Sequence, residues 1–264
     1  MKQYYDPEHG RLVYIEAQAN ATHWDHHWDG DDFEKLVQVR NNPLVVGNTQ
    51  MYLPAGAKIL EGGCGRGDKV FALKSHGFDA YGVDYAESTV DKINAVVPEL
   101  KVSLGDVRKL DFEDATFDGY WSLGVIEHFY DGYDDIAKEA HRVLKKGGYL
   151  FLTVPTMSHL RKLKAHLKRY PVYRHSEELQ AHFYQYALAS EGVIQRFRSL
   201  GFVLVDHQAI DGVKGLKDEI HFLRPFLQWC YDSNSPIHRV LRKLTNLLVG
   251  RFSNHMAFFV FKKT

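Results

Sequence analysis

The chain runs to 264 residues, 45% hydrophobic and 25% charged, with 33 Lys and Arg balancing 33 Asp and Glu. Those proportions belong to a folded chain of one large domain, or one domain with an insertion, and exclude a disordered, collagen-like or disulfide-scaffold protein. No run nears about 18 apolar residues, no basic-then-apolar leader opens the chain, and Cys64 and Cys230 make neither a bridge framework nor a structural zinc site, so a soluble cytoplasmic protein is expected.

The first 50 residues are rich in histidine and aromatic side chains, with Trp24, Trp28 and Phe33 ahead of a helical pattern through Arg40. Too few for a domain, they are expected to form a helical lid on residues 51–264. His23, Asp25, His26, His27 and Asp29 concentrate imidazoles and carboxylates. No second ligand group of defined spacing accompanies them, so no metal site is expected and the aromatics read as a shield.

Between 57 and 154 short apolar runs alternate with helical patterns, the signature of right-handed βαβ units and a parallel sheet. Strands are expected at 57–61, 80–84, 101–104, 119–123 and 149–154. Helices are expected at 69–75, 87–97 and 134–144, stopped by Gly77, Pro98 and Gly147-Gly148. Beyond Pro155 the pattern changes. Over 158–170, Leu160, Leu163 and Leu167 recur at helical spacing among Arg161, Lys162, Lys164, Lys168 and Arg169 with no acid, which reads as a basic amphipathic helix. A helix at 189–200 and a strand at 202–210 follow. A helical excursion over 213–249 carries Ile237, Val240, Leu241, Leu244 and Leu248 on one stripe, and a strand buried on both faces closes the chain at 256–261.

Charge divides unevenly along this order. Residues 1–150 carry 16 Lys and Arg against 25 Asp and Glu, and residues 151–264 carry 17 against 8. Attraction between the halves accounts for the division, and so does an anionic partner for the second half.

Chemistry concentrates at the end of the first expected parallel strand, where Glu61-Gly62-Gly63-Cys64-Gly65-Arg66-Gly67 forms a glycine-rich turn into a helix. Glycine takes positive φ and lets a ligand approach the backbone, while the helix start presents free N–H groups. The Glu61 carboxylate would repel a phosphate and suits a ligand bearing an ammonium group or hydroxyls. Asp84 ends the next strand 23 residues on, where an acid accepts both hydroxyls of a ribose, and Asp106 follows the third strand in Gly105-Asp106-Val107. One such acid alone reads as a helix cap, whereas three at successive strand ends converge on one crevice.

With these residues in this order, and Phe117-Asp118, Leu123-Gly124 and Ile126-Glu127-His128 after them, the chain resembles the class I S-adenosylmethionine-dependent methyltransferases, in their small-molecule branch with an E-x-G-C-G-x-G turn. The resemblance is clearest over about 57–154 and extends through the last two expected strands. It implies an α/β fold with a Rossmann-like seven-stranded mixed sheet, order 3-2-1-4-5-7-6 with the last strand antiparallel, helices on both faces, and a helical cap from insertions at about 156–187 and 212–250. It implies that Glu61 and the turn of Gly63, Cys64, Gly65 and Gly67 hold the methionine portion of S-adenosylmethionine. Asp84 would take the ribose with Tyr85 beside the adenine, Gly105, Asp106 and Val107 the adenine, and Leu123 and Gly124 the amino-acid end. His128, at the mouth of the crevice, is the candidate general base, with a lining role as the alternative.

The activity so implied is methyl transfer to an oxygen, nitrogen or carbon of a small or medium-sized acceptor. The basic second half favours an anionic or lipid-linked acceptor or a peripheral membrane contact. Zero net charge and the lack of an Asn/Asp-Pro-Pro-aromatic motif argue against nucleic acid. His175, His182, Tyr184 and Tyr186 fall in the first insertion, where this family keeps acceptor-binding residues. Two alternatives stay open. One is a non-catalytic S-adenosylmethionine-binding regulator. The other is an NAD(P)-dependent oxidoreductase, whose G-x-G-x-x-G pattern needs its third glycine one residue beyond Gly67.

Overall fold

The computed structural model describes all residues except 17, 29–32, 39–40, 234, 236–239 and 241–248. The chain opens on a β-hairpin, in which β1 (Lys2–Asp6) pairs antiparallel with β2 (Arg11–Ile15). The Asp6 carboxylate holds the turn by accepting from the Glu8 N–H at 3.2 Å and from Arg11 Nε at 2.9 Å. The free edge of β2 pairs with β8 (Phe183–Ala187), giving a small sheet in the order β1-β2-β8. The wholly helical lid expected over residues 1–50 is therefore corrected. Only after the hairpin come α1 (Ala21–Trp28), a 3₁₀ turn at Phe33–Gln38 and α2 (Pro43–Tyr52). Two five-residue strands leave little alternation to read, and β8, which completes their pairing, lies far along the chain.

The larger sheet holds β3 (Lys58–Gly62), β4 (Asp79–Asp84), β5 (Val102–Leu104), β6 (Phe117–Leu123), β7 (Leu144–Pro155), β9 (Phe202–Ile210) and β10 (Met256–Lys263). Their order is β5-β4-β3-β6-β7-β10-β9. The first five run parallel and β10 runs antiparallel to both β7 and β9, as the family resemblance implies. Helices α3 (Asp68–Ser75), α4 (Glu87–Val96) and α5 (Asp134–Val143) connect the parallel strands, with ends within one residue of expectation. One stop signal works differently: α5 passes straight into β7, so Gly147 (φ 81°) lies inside a strand.

The apolar run of β10 is buried on both faces. Phe258 and Val260 join Trp121 and Phe151 in the core on one side, and Ala257, Phe259 and Phe261 join the core on the other. Trp121, Phe151 and Phe258 stack across three neighbouring strands, with centroids 4.4 and 5.8 Å apart. Burying each such side chain is worth about 1.5–3 kcal/mol, so β10 binds both layers to the sheet. Trp121 Nε1 donates to Thr49 Oγ1 at 2.9 Å and fixes α2 against the same core.

The cap is built from α6 (His159–His166), α7 (Glu177–Ala181) and β8 after β7, and from α9 (Gly212–Glu219) and α10 (Arg224–Asp232) after β9; α8 (Ser190–Ser199) packs with β9. Ile237, Leu241, Leu244 and Leu248 of the expected second stripe lie outside the described residues. The expected faces of α6 are corrected. Leu160 is buried, but so is Arg161, while Leu163 and Leu167 are 46% and 56% exposed. The cause is Glu219 of α9, which accepts from Arg161 Nε (2.9 Å), Lys164 Nζ (2.5 Å) and Tyr170 Oη (2.5 Å). A charge with this many partners tolerates burial, and it draws the basic side of α6 inward. Among the described residues, no helix is long and apolar enough to cross a membrane.

Candidate active site

A cleft opens at the carboxyl ends of β3, β4, β5 and β6, where a parallel sheet presents loops and helix N-termini to one crevice. Its floor is the turn between β3 and α3. Gly63 adopts φ 74°, and a Cβ there would stand 2.5 Å from Val125 Cγ2 of the loop after β6. Gly65 adopts φ 49°, and a Cβ there would meet the Trp28 indole at 3.0 Å. Both positions combine left-handed backbone with no room for a side chain, so the turn requires glycine.

Asp84 fixes this floor. Its Oδ2 accepts the Gly65 N–H at 2.7 Å and its Oδ1 the Ala86 N–H at 3.0 Å, which ties the turn to the start of α4. Burial raises its carboxyl against the pull of these N–H groups. Each oxygen keeps a further lone pair, and the side chain lines the cleft. Asp106, at the end of β5, is held by Arg108, whose Nε lies 3.0 Å from both carboxylate oxygens and whose Nη2 lies 2.6 Å from Oδ2. Arg108 lowers the Asp106 carboxyl and rests its own guanidinium 5.2 Å from the Phe129 ring centroid.

Three expected residues stand off the cleft lining. Glu61 is 1% exposed, burial pushes its carboxyl up to about 8, and its Oε2 has no partner among the described residues. It lies under the turn, beside the Val70 N–H and the Lys69 charge. Cys64 points into the core, where burial pushes its thiol up. Gly67 caps α3, and a Cβ there would meet Leu100 and Ile93. The other ten, namely Gly63, Gly65, Asp84, Tyr85, Gly105, Asp106, Val107, Leu123, Gly124 and His128, line the cleft together.

Helix α1 supplies the opposite wall through Trp24 and Trp28, stacked with centroids 6.5 Å apart. It is anchored by Asp25, whose Oδ1 accepts from the Thr89 N–H and Oγ1, each at 3.0 Å. Asp25 is thus committed to α4. Among the described residues no group of three His, Cys, Asp or Glu is arranged to hold a metal, and Asp29 lies outside them. Arg108, Val125 and Phe129 also line the cleft and were missed. Their one sequence signal is adjacency to Val107, Gly124 and His128.

His128 ends a 3₁₀ turn at Ile126–His128 and lies against Trp24 and Tyr184, with ring centroids 5.1 and 5.0 Å away. Its Nδ1 is 2.8 Å from the Tyr184 carbonyl oxygen. A carbonyl only accepts, so Nδ1 carries the proton and Nε2 the lone pair. Burial holds the imidazole down to about 4, against 6.5 ordinarily. Folded His128 therefore binds fewer protons than the unfolded chain between those values. Its contribution to stability is complete above pH 6.5 and is lost as pH falls through 4. In urea titrations, His128→Gln is expected to shrink the stability lost between pH 6.5 and 4 by about 2 kcal/mol. An unchanged loss would show the ring to be hydrated.

Residues 60–152 match a family described as a methyltransferase domain. A probable S-adenosylmethionine-dependent methyltransferase of Mycolicibacterium smegmatis is 33% identical over 101 residues, 38% of this chain and 39% of that protein. An S-adenosyl-L-methionine-dependent Diels-Alderase of Talaromyces variabilis is 26% identical over 160 residues, 56% of this chain and 53% of that one. The matches thus span about two fifths to one half of these relatives' length. Among solved structures, a protein of Pyrococcus horikoshii OT3 shares the fold at 19% identity, with a TM-score of 0.55 over 90% of this chain and 99% of that one. A seven-stranded sheet in this order and a glycine turn under a cleft bearing strand-end acids accompany a matched segment that runs from the first parallel strand through the fifth: residues 60–152 are similar to methyltransferase domains, and the chain is similar over part of its length to S-adenosylmethionine-dependent proteins.

Proposed function

We propose that the protein transfers the methyl group of S-adenosylmethionine to an oxygen, nitrogen or carbon of a small or medium-sized acceptor. The residues present fit the cofactor. The glycine floor lets the ligand lie against the backbone, and Asp84, which lines the cleft, keeps lone pairs for ribose hydroxyls. When bound, the cofactor supplies an activated methyl on a sulfonium, so catalysis by the protein is chiefly positioning and exclusion of water. Asp84 orients the ribose, and Trp24 and Trp28 close the cleft against solvent. His128, neutral at pH 7, offers Nε2 to the proton of a hydroxyl or amine acceptor.

The observation that carries this reading is the placement of His128. A neutral imidazole with an unprotonated Nε2 lines the cleft among aromatic rings, held there by the Tyr184 carbonyl of the cap. Incubating the protein with methyl-labelled S-adenosylmethionine and fractionated metabolite extracts is expected to label one acceptor class and release S-adenosylhomocysteine. The likeness to a Diels-Alderase favours a second reading, in which the cofactor is bound without methyl transfer. Tight S-adenosylhomocysteine binding with no label transferred from any extract would establish that second reading. Binding of NADH in place of S-adenosylhomocysteine would overturn both.

A further inference from the structure

A buried hydroxyl in the lining of a second cavity has no hydrogen-bond partner among the described residues. This cavity lies between the small sheet and α9, and Tyr14, Arg161, Lys214, Asp218 and His255 are among its lining residues. Tyr14 is 3% exposed, and its hydroxyl has no hydrogen-bond partner among the described residues. Arg161, 1% exposed, commits Nε to Glu219 and Nη1 to the carbonyls of Thr156 and His255. Its Nη2 meets His255 Nδ1 at 3.2 Å.

Lys214 Nζ lies 2.8 Å from His255 Nε2 and 3.3 Å from Nδ1, and Asp218 Oδ2 lies 3.2 Å from Nδ1, so the His255 ring sits between two cations and a carboxylate.

The acids nearby are engaged elsewhere. Glu219 accepts from Arg161 Nε, Lys164 and Tyr170, Asp218 accepts from Lys214, and Glu16, its side chain 51% exposed, pairs with the Met1 ammonium at 3.4 Å. Arg161, Lys214 and Arg224 bring three cations to the lining. A buried hydroxyl left unsatisfied costs free energy, and a charged oxygen acceptor beside these cations satisfies it best.

Tyr184 is among the lining residues of this cavity, and its carbonyl and ring meet His128, which lines the cofactor cleft. We propose that this cavity binds an oxyanion, a carboxylate or a phosphate, carried by the methyl acceptor, whose reacting atom reaches past Tyr184 to His128. The proposal rests on the methyl-transfer reading for the second half of that statement and on the unpartnered Tyr14 hydroxyl among the lining cations for the first.

Calorimetric titration of the full chain, saturated with S-adenosylhomocysteine, tests it with inorganic phosphate and acetate as separate probes at constant ionic strength. One saturable site is expected for at least one of them. Tyr14→Phe keeps the ring, deletes the unpartnered hydroxyl and is expected to weaken that site about threefold or more, and Lys214→Met about tenfold. Neither variant should change S-adenosylhomocysteine affinity. Tighter phosphate would assign a phosphate ester to the acceptor, and tighter acetate a carboxylate. No saturable anion binding while S-adenosylhomocysteine binds would overturn the proposal and leave methyl transfer standing, and so would anion binding that both variants leave untouched. Failure of S-adenosylhomocysteine itself to bind would instead remove the reading on which the acceptor part rests.

Discussion

Asp84→Ala is expected to weaken S-adenosylhomocysteine binding by about 100-fold or more, because a single carboxylate does two jobs. In the proposed function it accepts the ribose hydroxyls, and hydrogen bonds to a charged partner are worth about 1.5–3 kcal/mol. It also holds the Gly65 and Ala86 N–H groups at 2.7 and 3.0 Å, so its loss releases the floor of the cleft as well. Asp84→Asn keeps the shape and one acceptor oxygen, and should cost about tenfold. Isothermal titration separates the cases. A change below about threefold in Asp84→Ala would mean that the ribose lies elsewhere, since one charged hydrogen bond alone exceeds that factor.

The largest stability effect is expected far from the cleft, at Glu219→Ala. The substitution leaves Arg161 buried at 1% exposure without its carboxylate, and also strands Lys164 and Tyr170. Burial opposes ionisation of Glu219, but Arg161, Lys164 and Tyr170 together hold its carboxyl below the usual range, so the pair is ionised at neutral pH. Breaking a buried ion pair from one side costs about 3–5 kcal/mol, which is a large share of a domain's total stability. Urea unfolding at pH 7 should show this loss, while protein that remains folded binds S-adenosylhomocysteine with unchanged affinity. Replacing Arg161 by Met and Glu219 by Leu together should recover much of the loss, because no lone charge then stays buried. A cost below about 1 kcal/mol for Glu219→Ala would mean that water enters beside Arg161 and solvates it.

Much of the parallel half of the sheet was legible in the chain itself. β3, α3, β4, α4 and β5 alternate along the chain, as do β6, α5 and β7, and Gly77 and Pro98 mark helix ends by backbone chemistry that acts locally. The strand-end acids were legible for the same reason, since a βαβ unit carries each to the same edge of the sheet. The final strand announced its burial on both faces through an unbroken apolar run.

The sequence by itself therefore determined the parallel strands, the glycine turn and the edge at which the strand-end acids Asp84 and Asp106 gather, because these depend on local periodicity and short connections, while the strand order came through the family resemblance. Only the tertiary structure decided what those side chains face. It buried Glu61 beneath the turn, paired Asp106 with Arg108, and set the hairpin of β1 and β2 against β8. It also turned Arg161 inward, though the helical pattern reads that residue as solvent-facing, because Glu219 waits 58 positions along the chain. A charge's energy depends on the partners and water around it, and those are brought by segments distant in sequence; periodicity along one helix carries no record of them.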